Sequence, residues 1–312
     1  MELIFNPLRD NVIRTTTMNK MIRRLAFPAL LSALFFMGSC AGDQQKEGNL
    51  PDGTDTTNTL QQEQVRKILY TIPTPMSMAS IIKQTGANFD KDVLNGTDKI
   101  SSYNTARQQA LNLGIFGADL SYSSMFDQDQ EAIQYLSAVQ KLCTALGIEG
   151  AIESDIYKRL NDHKDNRDSV LNIVSETYFS LDIYLKEAGR EDLLALIVTG
   201  GWVEGVHLAS GHMSTNSPEL RQRIAEQKYA VNDLVKLLET YGDNPVLNDV
   251  REDIKSVAAI YNEVEINQGK TETSTDESGT MVIGGSSTTN MSDETLQKVI
   301  EKIREIRNKY AA

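Results

Sequence analysis

Residues 199–212 read TGGWVEGVHLASGH, and this stretch decides the fold. Its apolar residues recur at spacings of three and four, the period of a helix with a buried face. Four glycines inside such a helix would each cost about 1 kcal/mol against alanine, so something must offset them. Gly201, Gly205 and Ala209 fall four apart and form a smooth ridge. Ala110, Gly114 and Ala118 form a second ridge on another helical stretch. Two such ridges let helix backbones approach closely, and burial at the crossing returns the lost propensity. The sequence therefore predicts an all-α multi-helix bundle built around a tight crossing. Bulk at Gly205 is expected to wedge that crossing apart.

Outward from this stretch, the three-and-four spacing continues almost everywhere after Leu60. Helices are predicted at 60–71, 77–85, 102–126, 129–146, 153–163, 166–188, 191–211, 218–241, 247–266 and 292–310. Punctuation sets their ends: Pro73 and Pro75 stop the first, Gly147 and Gly242 stand where C-caps belong, and Pro218 and Pro245 lie beside helix starts. Ser292 is placed to cap the last helix, with Asp293 and Glu294 complementing its dipole. Lys270 to Ser287 (270–287) breaks the rule with Thr-rich alternation, a turn signal at 276–279 and the run Met281-Val282-Ile283, so it is read as a β-hairpin before the last helix. Residues 60–312 form one helical domain of a size that buries a sound core. Gly114-Ile115-Phe116 and Gly200-Gly201-Trp202 echo one another 86 residues apart, a weak sign of duplication.

Chemistry is sparse. Glu204 and His207 share a helix face, and Glu-x-x-His at that spacing resembles half of a carboxylate-bridged di-iron site. No second Glu-x-x-His exists, so the di-iron reading fails. A mononuclear metal or ligand site from Asp119, Glu204 and His207 is one expectation, and a hydrogen-bonded core network is the commoner fate of such groups. There is no Gly-x-Ser-x-Gly and no phosphate-binding glycine loop, so no catalytic residue and no cofactor is assigned. Cys143 sits in an apolar-periodic run and reads as a small buried filler. The charged run 162–168 reads as a solvated connector.

The N-terminal region gives location. Lys20 to Cys40 reads KMIRRLAFPALLSALFFMGSC: a basic start, an apolar run too short for a membrane span, then small residues before a cysteine. Met37-Gly38-Ser39-Cys40 resembles the lipobox of bacterial lipoproteins. That resemblance implies an exported protein with signal peptide 1–39, diacylated (palmitate-bearing) Cys40 as its new N-terminus, and a membrane anchor. Ala41 favours the outer membrane by resemblance to the enterobacterial sorting rule. Residues 1–17 form an unusual polar leader, which makes Met18 an alternative start to Met1. Residues 40–59 read as a flexible polar tether between anchor and domain. From Cys40 onward the chain holds 26 basic and 41 acidic residues, a formal charge of −15. Such a surface repels phosphate backbones, which argues against nucleic acid as a partner.

Three functional classes follow. The first is a non-enzymatic envelope lipoprotein that binds or scaffolds another protein. The second is a glycan- or small-ligand-binding lipoprotein working with an outer-membrane transporter, which shared exposure of Trp202, Tyr178 and Tyr184 would favour. The third is a metal-dependent enzyme centred on Glu204 and His207.

Overall fold

The computed structural model describes residues 68–69, 71–151, 155–163, 166–213, 217–242, 244–268, 272–275, 281–284 and 287–312. The signal peptide and tether expected at 1–39 and 40–59, with Cys40, and nearly all of the helix expected at 60–71 lie outside these residues.

Nine α-helices and four short strands make up the described domain. The helices are α1 (Pro75–Gln84), α2 (Ala106–Met125), α3 (Asp129–Leu146), α4 (Ile156–Asp162), α5 (Arg167–Glu187), α6 (Glu191–Gly211), α7 (Pro218–Thr240), α8 (Pro245–Tyr261) and α9 (Asp293–Tyr310). Local chemistry starts and stops them. Thr105 caps α2 in a reciprocal box with Gln108, Ser292 accepts from the Thr295 amide at the start of α9, and Pro218 and Pro245 occupy first turns. Gly147 (φ 64°) and Gly242 (φ 58°) follow α3 and α7 in the left-handed conformation that a Cβ disfavours.

The centre of the bundle is the α2–α6 pair. α6 is long and apolar enough to cross a membrane, but its side chains are buried by other helices of the domain. α1 and α3 pack on α2, α5 and α9 pack on α6, and α7 pairs with α8. At the α2–α6 crossing the two backbones touch. A Cβ placed on Gly114 would lie 2.0 Å from the Ile197 carbonyl oxygen and 2.6 Å from the Gly201 nitrogen. One placed on Gly200 would lie 2.0 Å from the Leu111 carbonyl oxygen. The two halves of the sequence echo thus meet at the crossing. Ala110, Ala118 and Ala209 are fully buried, but Gly205 serves another contact: a Cβ there would sit 3.7 Å from Met78 of α1. The expectation that Gly205 spaces the α2–α6 crossing is corrected on this point.

The helix predicted to run from 247 to 266 ends at Tyr261, and the chain turns into β1 (Glu265–Gln268). β1 pairs antiparallel with β4 (Ser287–Asn290), and β2 (Glu272–Thr275) pairs antiparallel with β3 (Met281–Gly284). The hairpin is therefore longer than expected at both ends. Three residues separate β1 from β2 and two separate β3 from β4, so the ladder steps by one residue along the arm. Its base is moored to α7, where Gln222 Nε2 donates to the buried Thr289 hydroxyl (2.8 Å) and Arg221 donates to the Met291 carbonyl (2.9 Å).

Candidate functional site

α2 and α6 place Asp119 and Glu204 side by side in the core, both fully buried, with His207 one turn further along α6. A carboxylate removed from water needs a cation or several donors. For Glu204 the cation comes from the last helix. Arg307 of α9 grips it with both ends of its fork, Nε to Oε2 at 3.0 Å and Nη2 to Oε1 at 3.1 Å. Burial works against a charged guanidinium, but Glu204 holds Arg307 the more firmly protonated.

Asp119 has weaker support. Its Oδ2 accepts from the Asn95 amide at 3.2 Å, while Oδ1 has no conventional hydrogen bond among the described residues and Glu204 is its charged neighbour. Burial first, and then the adjacent Glu204 charge, hold the Asp119 carboxyl well above the usual range, with Arg307 opposing. One guanidinium thus serves two carboxyls, and the second is pushed toward its protonated form. His207 hydrogen-bonds the backbone of Val93; burial lowers its proton affinity, Glu204 raises it and Arg307 and Arg304 lower it further. The imidazole is neutral at pH 7.

Segment 86–104, between α1 and α2, closes over this core as a strap. Tyr135 of α3 donates to the Asn95 carbonyl at 2.8 Å. Asn112 of α2 donates to the Tyr310 carbonyl (2.8 Å) and Lys99 to the Ala311 carbonyl (3.1 Å), so the end of α9 is tied to the same centre. The structure brings Asp119, Glu204 and His207 together, as their spacing suggested. What it adds is Arg307 on both oxygens of Glu204, so that carboxylate is committed to an ion pair. Among the described residues no group of three or more His, Cys, Asp or Glu is arranged to hold a metal ion. Of the two readings of Asp119, Glu204 and His207, the geometry of the described residues is that of a buried ion-paired network. Such an arrangement joins α2, α6 and α9 through charge. Cys143 is buried and free, and burial pushes its thiol up to about 12.

No protein-family model, curated protein or solved structure matches the chain.

The aromatic residues bear on the glycan reading. Trp202, the chain's one tryptophan, is buried and its indole nitrogen donates to Gln227 Oε1 at 3.0 Å. Tyr184 is half-buried, and the Tyr178 side chain lies outside the described ones. A sugar-stacking platform needs an exposed ring face, which Trp202 does not offer. Its fluorescence is expected to be blue-shifted, resistant to iodide quenching and unchanged by added oligosaccharides. Ready iodide quenching would contradict the burial.

Proposed function

We propose that the chain is an exported lipoprotein of the bacterial envelope, held to a membrane, the outer one by its Ala41, through an acylated Cys40. Its helical domain binds or scaffolds another envelope protein and catalyses no reaction. The observation that carries this reading is the order of residues from Lys20 to Cys40: basic start, short apolar run, small residues, cysteine. Two features of the domain support the non-enzymatic half. The buried carboxylates are committed to Arg307 and to each other, and the tryptophan that a glycan platform would use is in the core. The acidic surface suits a protein held clear of anionic headgroups on a polar tether.

The test is metabolic labelling with an alkyne analogue of palmitate. The wild-type chain is expected to take up label and to sediment with outer membranes, and Cys40→Ala to do neither. Labelling or membrane retention that survives Cys40→Ala would overturn the anchor assignment.

A further inference from the structure

The strap is fastened at one more place, away from the carboxylates. Asp90 of the strap donates its amide to the Tyr122 hydroxyl of α2 at 3.0 Å. That hydroxyl lies 2.8 Å from Nε2 of His212, at the end of α6. The phenol oxygen accepts from the strap and keeps its own proton to donate, and in the tautomer that bears no proton on Nε2 the imidazole of His212 is the acceptor. The group is enclosed by rings: Phe89 stacks on Tyr122 with centroids 5.3 Å apart, and Phe126 lies 4.8 Å from it. The strap also seats directly on the end of α6. A Cβ on Gly211 would meet the Val93 side chain at 2.8 Å, so a side chain there would force Val93 to shift.

We propose that the strap is a pH-sensitive clasp with His212 as its sensor: neutral imidazole accepts the Tyr122 proton and fixes the oxygen that holds Asp90, whereas imidazolium cannot accept it and lets segment 86–96 go. Once Nε2 takes a proton from solvent, two donors face one another across 2.8 Å unless the phenol turns its hydrogen away, toward the rings of Phe89 and Phe126. The charged and titratable groups facing His212 set the balance. Asp90 comes from the strap and attracts the imidazolium; Tyr122 comes from α2, its hydroxyl pushed up to about 12 by burial and so present as a phenol. Lys83 of α1 lies over Phe126 and is paired with Asp127. Burial lowers the proton affinity of His212 below that of an ordinary imidazole and Asp90 restores part of it. A base whose folded value is depressed contributes stability that is full above its unfolded value and is lost as the pH falls toward the folded one. The clasp therefore holds at neutral pH and opens on acidification.

The experiment is hydrogen–deuterium exchange on the full chain at about pH 7.5 and about pH 5, corrected for the intrinsic exchange rate. Amides of segment 87–96 are expected to lose about tenfold or more in protection at the lower pH while the core of α3 keeps its own. His212→Gln offers an acceptor that does not titrate and is expected to keep the strap protected at both values. Protection of the strap that does not change with pH in the wild type, or the same loss in His212→Gln, would overturn the clasp. Should His212→Gln not fold, an NMR titration of the wild type decides. The His212 ring and the Asp90 amide must then shift with one midpoint, and separate midpoints overturn the proposal.

Discussion

Gly114→Ala is expected to destabilise the bundle severely, and Gly200→Ala to do the same. In a surface helix the change would gain about 1 kcal/mol of helix propensity. Here the new methyl meets a backbone oxygen at 2.0 Å in each case, Ile197 for Gly114 and Leu111 for Gly200. Backbone carbonyls have no rotamer by which to retreat, so the helices must separate by about 1 Å and every contact along the crossing loosens. A cost of more than about 3 kcal/mol is expected, which lowers the melting temperature by about 10 °C or leaves no soluble protein. Gly205→Ala is the matched control. Its methyl meets the Met78 side chain at 3.7 Å, an ordinary contact, so the propensity gain survives and the melting temperature holds or rises. Circular dichroism melts of the three variants make the comparison. Equal behaviour at positions 114 and 205 would remove the backbone crossing as the organiser of the core.

That contrast also marks how far the fold was legible in the sequence. Helices α3 and α6 have the expected bounds, because strong apolar periodicity runs through both and Gly147 stops α3. The tightness of the crossing was visible in the small residues, but which glycine touches which neighbour was not. Gly200, passed over as a ridge residue, makes the close contact, and Gly205 turns to α1. A one-residue rotation about a helix decides this, and only the packed helices fix it. The end of α8 was missed for a related reason. Val264 and Ile266 continue a helical spacing, and the force that pulls β1 away is its pairing with β4, more than twenty residues later. Local pattern carries no record of such a partner.

The same holds for the candidate site. Asp119, Glu204 and His207 were recognisable as polar residues on apolar faces, which is a local signal. Arg307 was not, since it lies in the charged run EKIREIRNK where a solvated face is the ordinary reading. Its signal was indirect: a carboxylate as deeply placed as Glu204 requires a cation, and the chain offers many candidates. Asn95, Tyr122 and His212 were equally hidden, because the strap that unites them has no periodicity to read.

Arg307→Met is expected to cost about 3–5 kcal/mol at neutral pH, because it keeps most of the side-chain volume and strands Glu204 as an unpaired charge next to Asp119. Surface ion pairs of this chain, such as Lys298 with Glu294, carry far less, since water screens both partners. Denaturant unfolding of Arg307→Met, Glu204→Gln and the double variant measures the difference. The double variant is expected to recover much of the loss, giving a coupling of about 1–3 kcal/mol, because the uncompensated charge has gone with the cation. Acid provides an independent arm. Asp119 has its proton affinity raised in the fold above that of an ordinary carboxylate, so its contribution is full below the ordinary carboxylate range and is lost as pH rises through the folded value. Without Arg307 nothing opposes the upward push on Asp119, and lowering the pH toward about 5 should return stability to Arg307→Met relative to the wild type. Asp119→Asn, which keeps the Asn95 contact without a titrating group, should flatten that dependence. Strict additivity of the two single variants, with no recovery in acid, would mean that Glu204 and Arg307 are solvated in solution. The link between the last helix and the glycine-lined centre would then rest on apolar packing by Ile303, Ile306 and Tyr310 alone.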